Sequence, residues 1–169
     1  MKMKTLVRLL TLSSATIYFG ATPGLTDQGH CRHIGGGILT NFLDPSQCLP
    51  TSGSSVGLCT DGPATGDLRG AVGVAVLKIT GNVLTNHHHW VTESGDTIFF
   101  QDADLTLLST STQGLFVGDY QHGILITGGT GGFEGASGKI SAFGAVDENK
   151  GELTLRYAGT ACFEPVTPP

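Results

Sequence analysis

The feature that most constrains the fold is a series of short apolar, β-branched runs that are separated by turn residues from residue 66 onward. This spacing is typical of a β-meander or a β-barrel. Glycine makes up 26 of the 169 residues, about double its ordinary usage, and charged residues make up only 14%, a composition that does not fit a long-helix protein. We therefore predict an all-β domain with strands at residues 68–80, 83–92, 97–109, 115–127, 138–146 and 152–163.

The turns between these runs predict that each strand lies antiparallel beside its predecessor. Residues 81–82 and 93–96 contain Gly, Asn or Asp, which tolerate the backbone angles of hairpin turns. In the last run, Leu153, Leu155 and Tyr157 alternate onto one face, which we expect to be buried. A sheet with one apolar face either closes into a barrel or stacks as a sandwich, and the pattern alone leaves both open.

The same alternation orients the side chains of residues 115–127. One face of this run carries Phe116, Tyr120, His122, Ile124 and Ile126. Tyr120 and His122 are therefore predicted to point inward.

The N-terminus has the layout of a secretory signal. Lys2, Lys4 and Arg8 precede an uncharged run at residues 9–21, and we predict a signal peptide at 1–21. The protein is then exported, either secreted or periplasmic. Because no later segment is long and apolar enough, we expect no membrane span in the mature chain.

The rest of the chain divides by composition into three parts. Residues 22–65 are rich in Gly, Pro and Ser and are predicted to be a loop-rich segment with one short strand at 38–43. Residues 66–164 form the predicted barrel domain, and 165–169 are a C-terminal tail.

Four cysteines in an exported chain predict two disulfides. Three pairings are possible, and we prefer Cys48 with Cys59, which closes a local loop, and Cys31 with Cys162, which ties the two ends together. A metal–thiolate site is the alternative, but the cysteine spacings match no zinc template.

Charge and motifs exclude several functions. The net charge of −5 and the scattered Lys and Arg residues argue against nucleic acid as a partner. Residues 53–57 match the Gly-x-Ser-x-Gly pattern of hydrolases, but neither a buried strand nor a helix flanks them. We predict no cofactor, and we assign no catalytic residue.

Three glycine-rich segments carry a family resemblance. Residues 126–138 (ITGGTGGFEGASG), followed by 144–147 and 155–159, resemble the C-terminal half of the barrels of dirigent proteins and allene oxide cyclases, including exported bacterial members of unassigned activity. Gly132 stands where that group more often carries Arg or Lys. The resemblance covers roughly residues 66–163 and implies an eight-stranded antiparallel β-barrel with a loop-rich, disulfide-tied N-terminal segment.

The run from Asn86 to Trp90 is the most conspicuous cluster of candidate site residues. On a strand, Asn86, His88 and Trp90 lie on one face, and His87 and His89 lie on the other. Each face could supply two metal ligands, and His87 with His89 is the pair we assign. Candidates for a third ligand are His122, Asp102 and Asp104.

The interior of an eight-stranded barrel is wide enough to be filled by side chains or to hold one small ligand. We predict that the protein binds a small, largely apolar molecule there. The candidate ligand-binding residues are His88, Trp90, Phe99, Phe100, Tyr120, His122 and Tyr157. The alternatives are a cyclase or isomerase that guides a reactive intermediate, as the resemblance implies, and a non-catalytic envelope scaffold, which could be a homo-oligomer.

Overall fold

The computed structural model describes residues 30–48, 54 and 56–163. Within them the chain forms a single antiparallel sheet and three short 3-10 turns, at Pro45–Gln47, Gly66–Leu68 and Gly131–Phe133. The strands are β1 His30–Phe42, β2 Cys59–Ala64, β3 Gly70–Thr80, β4 Val83–Thr92, β5 Thr97–Phe100, β6 Ala103–Ser109, β7 Leu115–Asp119, β8 Ile124–Gly129, β9 Ser137–Asp147 and β10 Glu152–Phe163. In the described part of the chain, no helix is long and apolar enough to cross a membrane.

The sheet closes on itself. Strand β10 pairs with β9 on one side and with β1 on the other. Strands β5 and β6 both pair with β4, and β7 and β8 both pair with β9, so each couple occupies one position in the ring. The result is an eight-position antiparallel barrel in which each position lies beside the one that precedes it along the chain. The predicted barrel is confirmed, and a sandwich is excluded.

The strands of each couple, β5 with β6 and β7 with β8, are separated by a break inside a run that the sequence predicts as one continuous strand. The run at 97–109 breaks at residues 101–102, and the run at 115–127 breaks at 120–123. In the second break, the N–H of Gly123 donates to the carbonyl oxygen of Tyr120 at 2.8 Å, and Gly123 has a φ of 68°. Because this turn interrupts the alternation, Tyr120 points inward but His122 is exposed to solvent. The prediction that His122 faces the interior is wrong.

The sheet begins well before residue 66. Strand β1 pairs with β10 from His30 to Asn41, and β2 pairs with β3. The sequence predicts only a short strand at 38–43 because the consecutive glycines at 35–37 are typical of a break in regular structure. They are strand residues instead, and a Cβ on Gly36 would collide with the carbonyl oxygen of Thr65. Glycine serves here for close approach of the backbone.

Both predicted disulfides are present. Cys31 and Cys162 are directly opposite each other in the β1–β10 ladder, so their bond joins the strands that close the barrel. Cys48 and Cys59 tie the segment after β1 to the start of β2. Two such bonds fit an oxidising compartment. The predicted signal at 1–21 and the tail at 165–169 lie outside the described residues.

The two disulfides should contribute unequally to stability. Cys31–Cys162 closes a loop with a sequence separation of 131, and Cys48–Cys59 one of 11. Loop-closure entropy then gives about 5 kcal/mol for the first and about 3 kcal/mol for the second. We expect the Cys31→Ser/Cys162→Ser double variant to lose more free energy of unfolding in urea than the Cys48→Ser/Cys59→Ser double variant. Equal losses, or a larger loss for the short loop, would contradict this prediction.

Candidate functional site

One end of the barrel is closed by the chain itself. The 3-10 turn Gly66–Leu68 places the fully buried Leu68 across this end. The N–H of Leu68 donates to the Tyr157 hydroxyl at 2.9 Å, and that hydroxyl donates to the carbonyl oxygen of Thr65 at 2.9 Å. The indole N–H of Trp90 donates to the carbonyl oxygen of Leu68 at 2.7 Å. These bonds satisfy the polar atoms of both aromatic residues and seal the end.

Five of the predicted site residues form a chain of aromatic contacts through the interior. Ring centroids are 5.3 Å apart between Tyr120 and His88 and 6.0 Å apart between His88 and Phe100. Phe100 lies 5.8 Å from Trp90, which meets Tyr157 edge-on at 5.3 Å. All five side chains are buried. The structure thus brings these residues together inside the barrel.

Phe99 and His122 are not part of this group. Phe99 follows Ile98 and precedes Phe100 on β5, so alternation turns its ring outward, and it is 49% exposed. Both Phe99 and Phe100 are predicted site residues because two adjacent aromatic residues do not show which of them faces the interior. Only Phe100 lies in the interior.

Inside the barrel, Asn86, His88 and Tyr120 form a polar cluster, which we call the Tyr120 cluster. The side-chain N–H of Asn86 donates to the Tyr120 hydroxyl at 3.0 Å. The same hydroxyl lies 3.0 Å from Nε2 of His88. Because the hydroxyl accepts from Asn86, its own proton is free to be donated to Nε2.

Burial keeps this cluster neutral. Desolvation, with a smaller contribution from the charge of His87, lowers the pKa of His88 to about 4. Desolvation also raises the pKa of the Tyr120 hydroxyl, and the hydrogen bond from Asn86 offsets this only in part. At pH 7 the cluster therefore donates and accepts hydrogen bonds without a formal charge. A base with a pKa of about 4 is poorly matched to proton abstraction near neutral pH.

Three buried polar atoms lack a hydrogen-bond partner among the described residues. They are Oδ1 of Asn86, Nδ1 of His88 and Oγ1 of Thr60. When Nε2 of the neutral His88 accepts from Tyr120, Nδ1 carries the ring proton and is a donor. Leaving a buried donor or acceptor unsatisfied costs about 1–3 kcal/mol, so these atoms need an explanation other than stability.

Two small voids border the cluster. One, of about 30 Å³, is lined by Thr60, Asn86 and Tyr120 among others. The second, of about 20 Å³, is lined by His88, Trp90 and Tyr120 among others. Each exceeds the roughly 10–15 Å³ that one water molecule needs. Both are far below the roughly 300–1,000 Å³ of a ligand pocket.

The larger void extends towards the end of the barrel opposite Leu68. Its lining there consists of half-buried apolar side chains, which we call the Phe42 end: Phe42, Leu58, Leu84 and Leu107. At this end the hydroxyl of Ser54 bridges the backbones of two lining residues: it donates to the carbonyl oxygen of Val76 at 2.9 Å and accepts from the N–H of Leu58 at 3.2 Å.

Asn86 shares a face with His88 in the sequence pattern, but it is not among the predicted site residues. The signal was available, because a polar amide alternating with buried residues requires a partner inside. Thr60 and Thr65 could not be found in this way, since they lie in the segment that was predicted to be loop-rich.

The predicted metal pair lies on the outer face of β4. His87 and His89 are exposed, and Nδ1 of His87 lies 2.7 Å from Oδ1 of Asp102. Asp104 instead accepts from the Thr85 hydroxyl at 2.7 Å. Within residues 30–48, 54 and 56–163, no group of three or more His, Cys, Asp or Glu side chains is arranged to hold a metal ion.

Comparison with known proteins shows a likeness to a solved structure but no match to a family. No protein-family model and no curated protein matches the chain. Among solved structures, the chain is similar to a pterocarpan synthase dirigent protein at 16% sequence identity. The alignment covers 89% of this chain and 100% of that chain, with a TM-score of 0.46.

The burial of His88 predicts a loss of stability in mild acid. Its pKa is about 4 in the folded protein against an ordinary value of 6.5, so between these values the unfolded chain binds a proton that the folded chain does not. The contribution is complete above pH 6.5 and falls by about 3 kcal/mol as the pH drops to 4. In urea unfolding measured at a series of pH values, we expect His88→Gln to lose most of this pH dependence of the free energy of unfolding, whereas His122→Gln keeps it. Identical slopes for wild type and His88→Gln would contradict the prediction.

The Tyr120 cluster should destabilise the fold when it is only partly removed. Tyr120→Phe strands the amide of Asn86 and the ring nitrogen of His88, and we expect a loss of about 1–3 kcal/mol in the free energy of unfolding. Replacing all three groups, in an Asn86→Leu/His88→Leu/Tyr120→Phe variant, removes the stranded atoms and should recover part of that loss. A triple variant less stable than the single one would show that the cluster contributes net stability.

Proposed function

We propose that the barrel binds a small, neutral, largely apolar molecule beside the Tyr120 cluster. One observation supports this most strongly: each unpartnered buried atom belongs to a residue that lines an interior void. Thr60 and Asn86 line the larger void, and His88 lines the smaller one. A polar group placed in these voids would satisfy atoms that the chain leaves unsatisfied.

The free-energy cost of the unpartnered atoms in the Tyr120 cluster supports a role of this cluster in ligand recognition. Apolar residues of similar shape would fill the same space without stranded donors and acceptors. The surrounding core is aliphatic and aromatic, and the buried polar side chains among the described residues are Thr40, Thr60, Asn86 and His88. A polar cluster retained in such a core distinguishes one ligand orientation from another.

The unpartnered hydrogen-bond donor and acceptor of the Tyr120 cluster indicate the chemistry of the ligand. The cluster offers a ring N–H of His88 as a donor and the amide oxygen of Asn86 as an acceptor, both uncharged at pH 7. An ionised ligand would lose its hydration without gaining an opposite charge. A carbonyl or hydroxyl compound with an apolar body fits these atoms better than a carboxylate or an ammonium does.

Entry of such a molecule requires the Phe42 end to part. The voids hold about one water molecule each, so the side chains of Phe42, Leu58, Leu84 and Leu107 must move to admit an organic ligand. They are half-buried rather than locked into the core. Binding is then coupled to opening, and the apparent affinity is reduced by the small population of the open state.

A pair of isosteric probes tests the proposal. Cyclohexanone and methylenecyclohexane have nearly the same shape, but only the ketone accepts a hydrogen bond. In NMR titrations followed at the side chains of His88 and Tyr120, we expect the ketone to bind about 5–10-fold more tightly, the equivalent of one buried hydrogen bond. His88→Leu should bring the ratio of the two affinities close to one, whereas His33→Leu, a change on the exposed surface of β1, should leave it unchanged.

A non-catalytic scaffold is the second candidate, and the small size of the voids favours it. A barrel filled by its own side chains is a rigid support that needs no ligand. If neither probe perturbs His88 or Tyr120 up to its solubility limit, and native mass spectrometry of protein isolated without denaturation shows only the polypeptide, the scaffold is the better description.

A further inference from the structure

A second concave site lies on the outside of the barrel, where β2, β3 and β4 run side by side. The register places Asp61 opposite Gly73 and Gly73 opposite His89. Because Gly73 has no side chain, the surface between Asp61 and His89 is low. One strand pair further along, Ala75 lies opposite His87, and its small side chain continues the same depression.

The opposite wall is the segment that follows β1. The N–H of Leu43 donates to the carbonyl oxygen of Cys59 at 3.0 Å, and the Cys48–Cys59 disulfide fixes the end of the segment. Leu43 and Gln47 line the resulting open cleft, which has a volume of about 460 Å³. This volume lies within the range of ligand sites, unlike that of the interior voids.

His87 and His89 form the wall of this cleft on β4. They are two residues apart on one strand and therefore share its outer face, and both line the cleft. Nδ1 of His87 is 2.7 Å from the carboxylate of Asp102. Since a carboxylate accepts, Nδ1 carries a proton, and in the neutral form of His87 the lone pair is then on Nε2, the nitrogen that can bind a metal ion. A carboxylate behind a histidine is the usual support of a metal-ligating imidazole.

We propose that His87 and His89 bind one divalent transition-metal ion in this cleft, with Asp102 as a positioning residue. Imidazole nitrogen suits Cu²⁺, Ni²⁺ and Zn²⁺, and Cu²⁺ binds most tightly in this series. No third ligand is arranged beside them in the described part of the chain, so the described residues supply two donors. The remaining coordination positions face the open cleft and take water or an added ligand, while the carboxylate of Asp61 on the cleft lining adds negative charge.

Copper titration of the intact, disulfide-bonded protein without an affinity tag tests the site. We expect calorimetry to show one Cu²⁺ per chain bound at this site, with an electron paramagnetic resonance spectrum of nitrogen ligation. The His87→Ala/His89→Ala double variant should bind at least tenfold more weakly and lose that spectrum. His33→Ala removes an exposed histidine that does not line the cleft, and it should match the wild type.

The role of Asp102 has its own readout. Asp102→Asn keeps an acceptor near His87 but removes the negative charge, so we expect about tenfold weaker Cu²⁺ binding with the nitrogen-ligated spectrum preserved. Unchanged affinity in this variant would remove Asp102 from the proposal. Wild-type affinity in the His87→Ala/His89→Ala variant, with circular dichroism showing both proteins folded, would overturn the site itself. Neither result bears on the barrel interior, since these side chains lie outside it.

Discussion

The pairing of β1 with β10 is the constraint on which the rest of the structure depends. It removes the two free edges of the sheet and creates an interior with no direct contact with bulk solvent at the Leu68 end. Gly36 on β1 leaves room for the turn that closes the barrel end: a Cβ there would collide with the carbonyl oxygen of Thr65 and lie 2.7 Å from the Tyr157 ring. The Cys31–Cys162 disulfide then fixes the two strands in register.

Closure also sets the electrostatics of the interior. Groups that would titrate near neutral pH in water, such as the His88 imidazole, remain uncharged because the surrounding core cannot solvate an ion. Hydrogen bonding is what remains for recognition, and Tyr120 connects the donors and acceptors of Asn86 and His88. The interior therefore presents neutral hydrogen-bond donors and acceptors and no countercharge for an ionised group.

The sequence predicts the parts of this arrangement that depend on unbroken alternation. Along β4 and β10 the period of two holds, and it places His88, Trp90 and Tyr157 inside correctly. It fails where a turn interrupts a strand, as after Tyr120. The alternation therefore places His122 inside the barrel, although it is exposed. It fails again at the glycines of β1, because glycine favours a turn locally, whereas only the partner strand shows that it serves for close approach. The unpartnered atoms and the outer cleft depend on the register between strands, which a single sequence does not contain.

The histidine run shows how one strand serves two different environments. Successive residues of β4 face opposite sides of the barrel wall, so a single segment supplies the buried His88 and the exposed His87 and His89. An ion on the inner face would lose its hydration to an apolar core, whereas one in the outer cleft keeps water in its coordination shell. The two proposed sites therefore differ in the ligands that they would accept, which are neutral molecules in the barrel and a metal ion in the cleft. Shifting β4 by one residue would exchange the two faces and remove both proposed sites, so each proposal depends on the register of this strand.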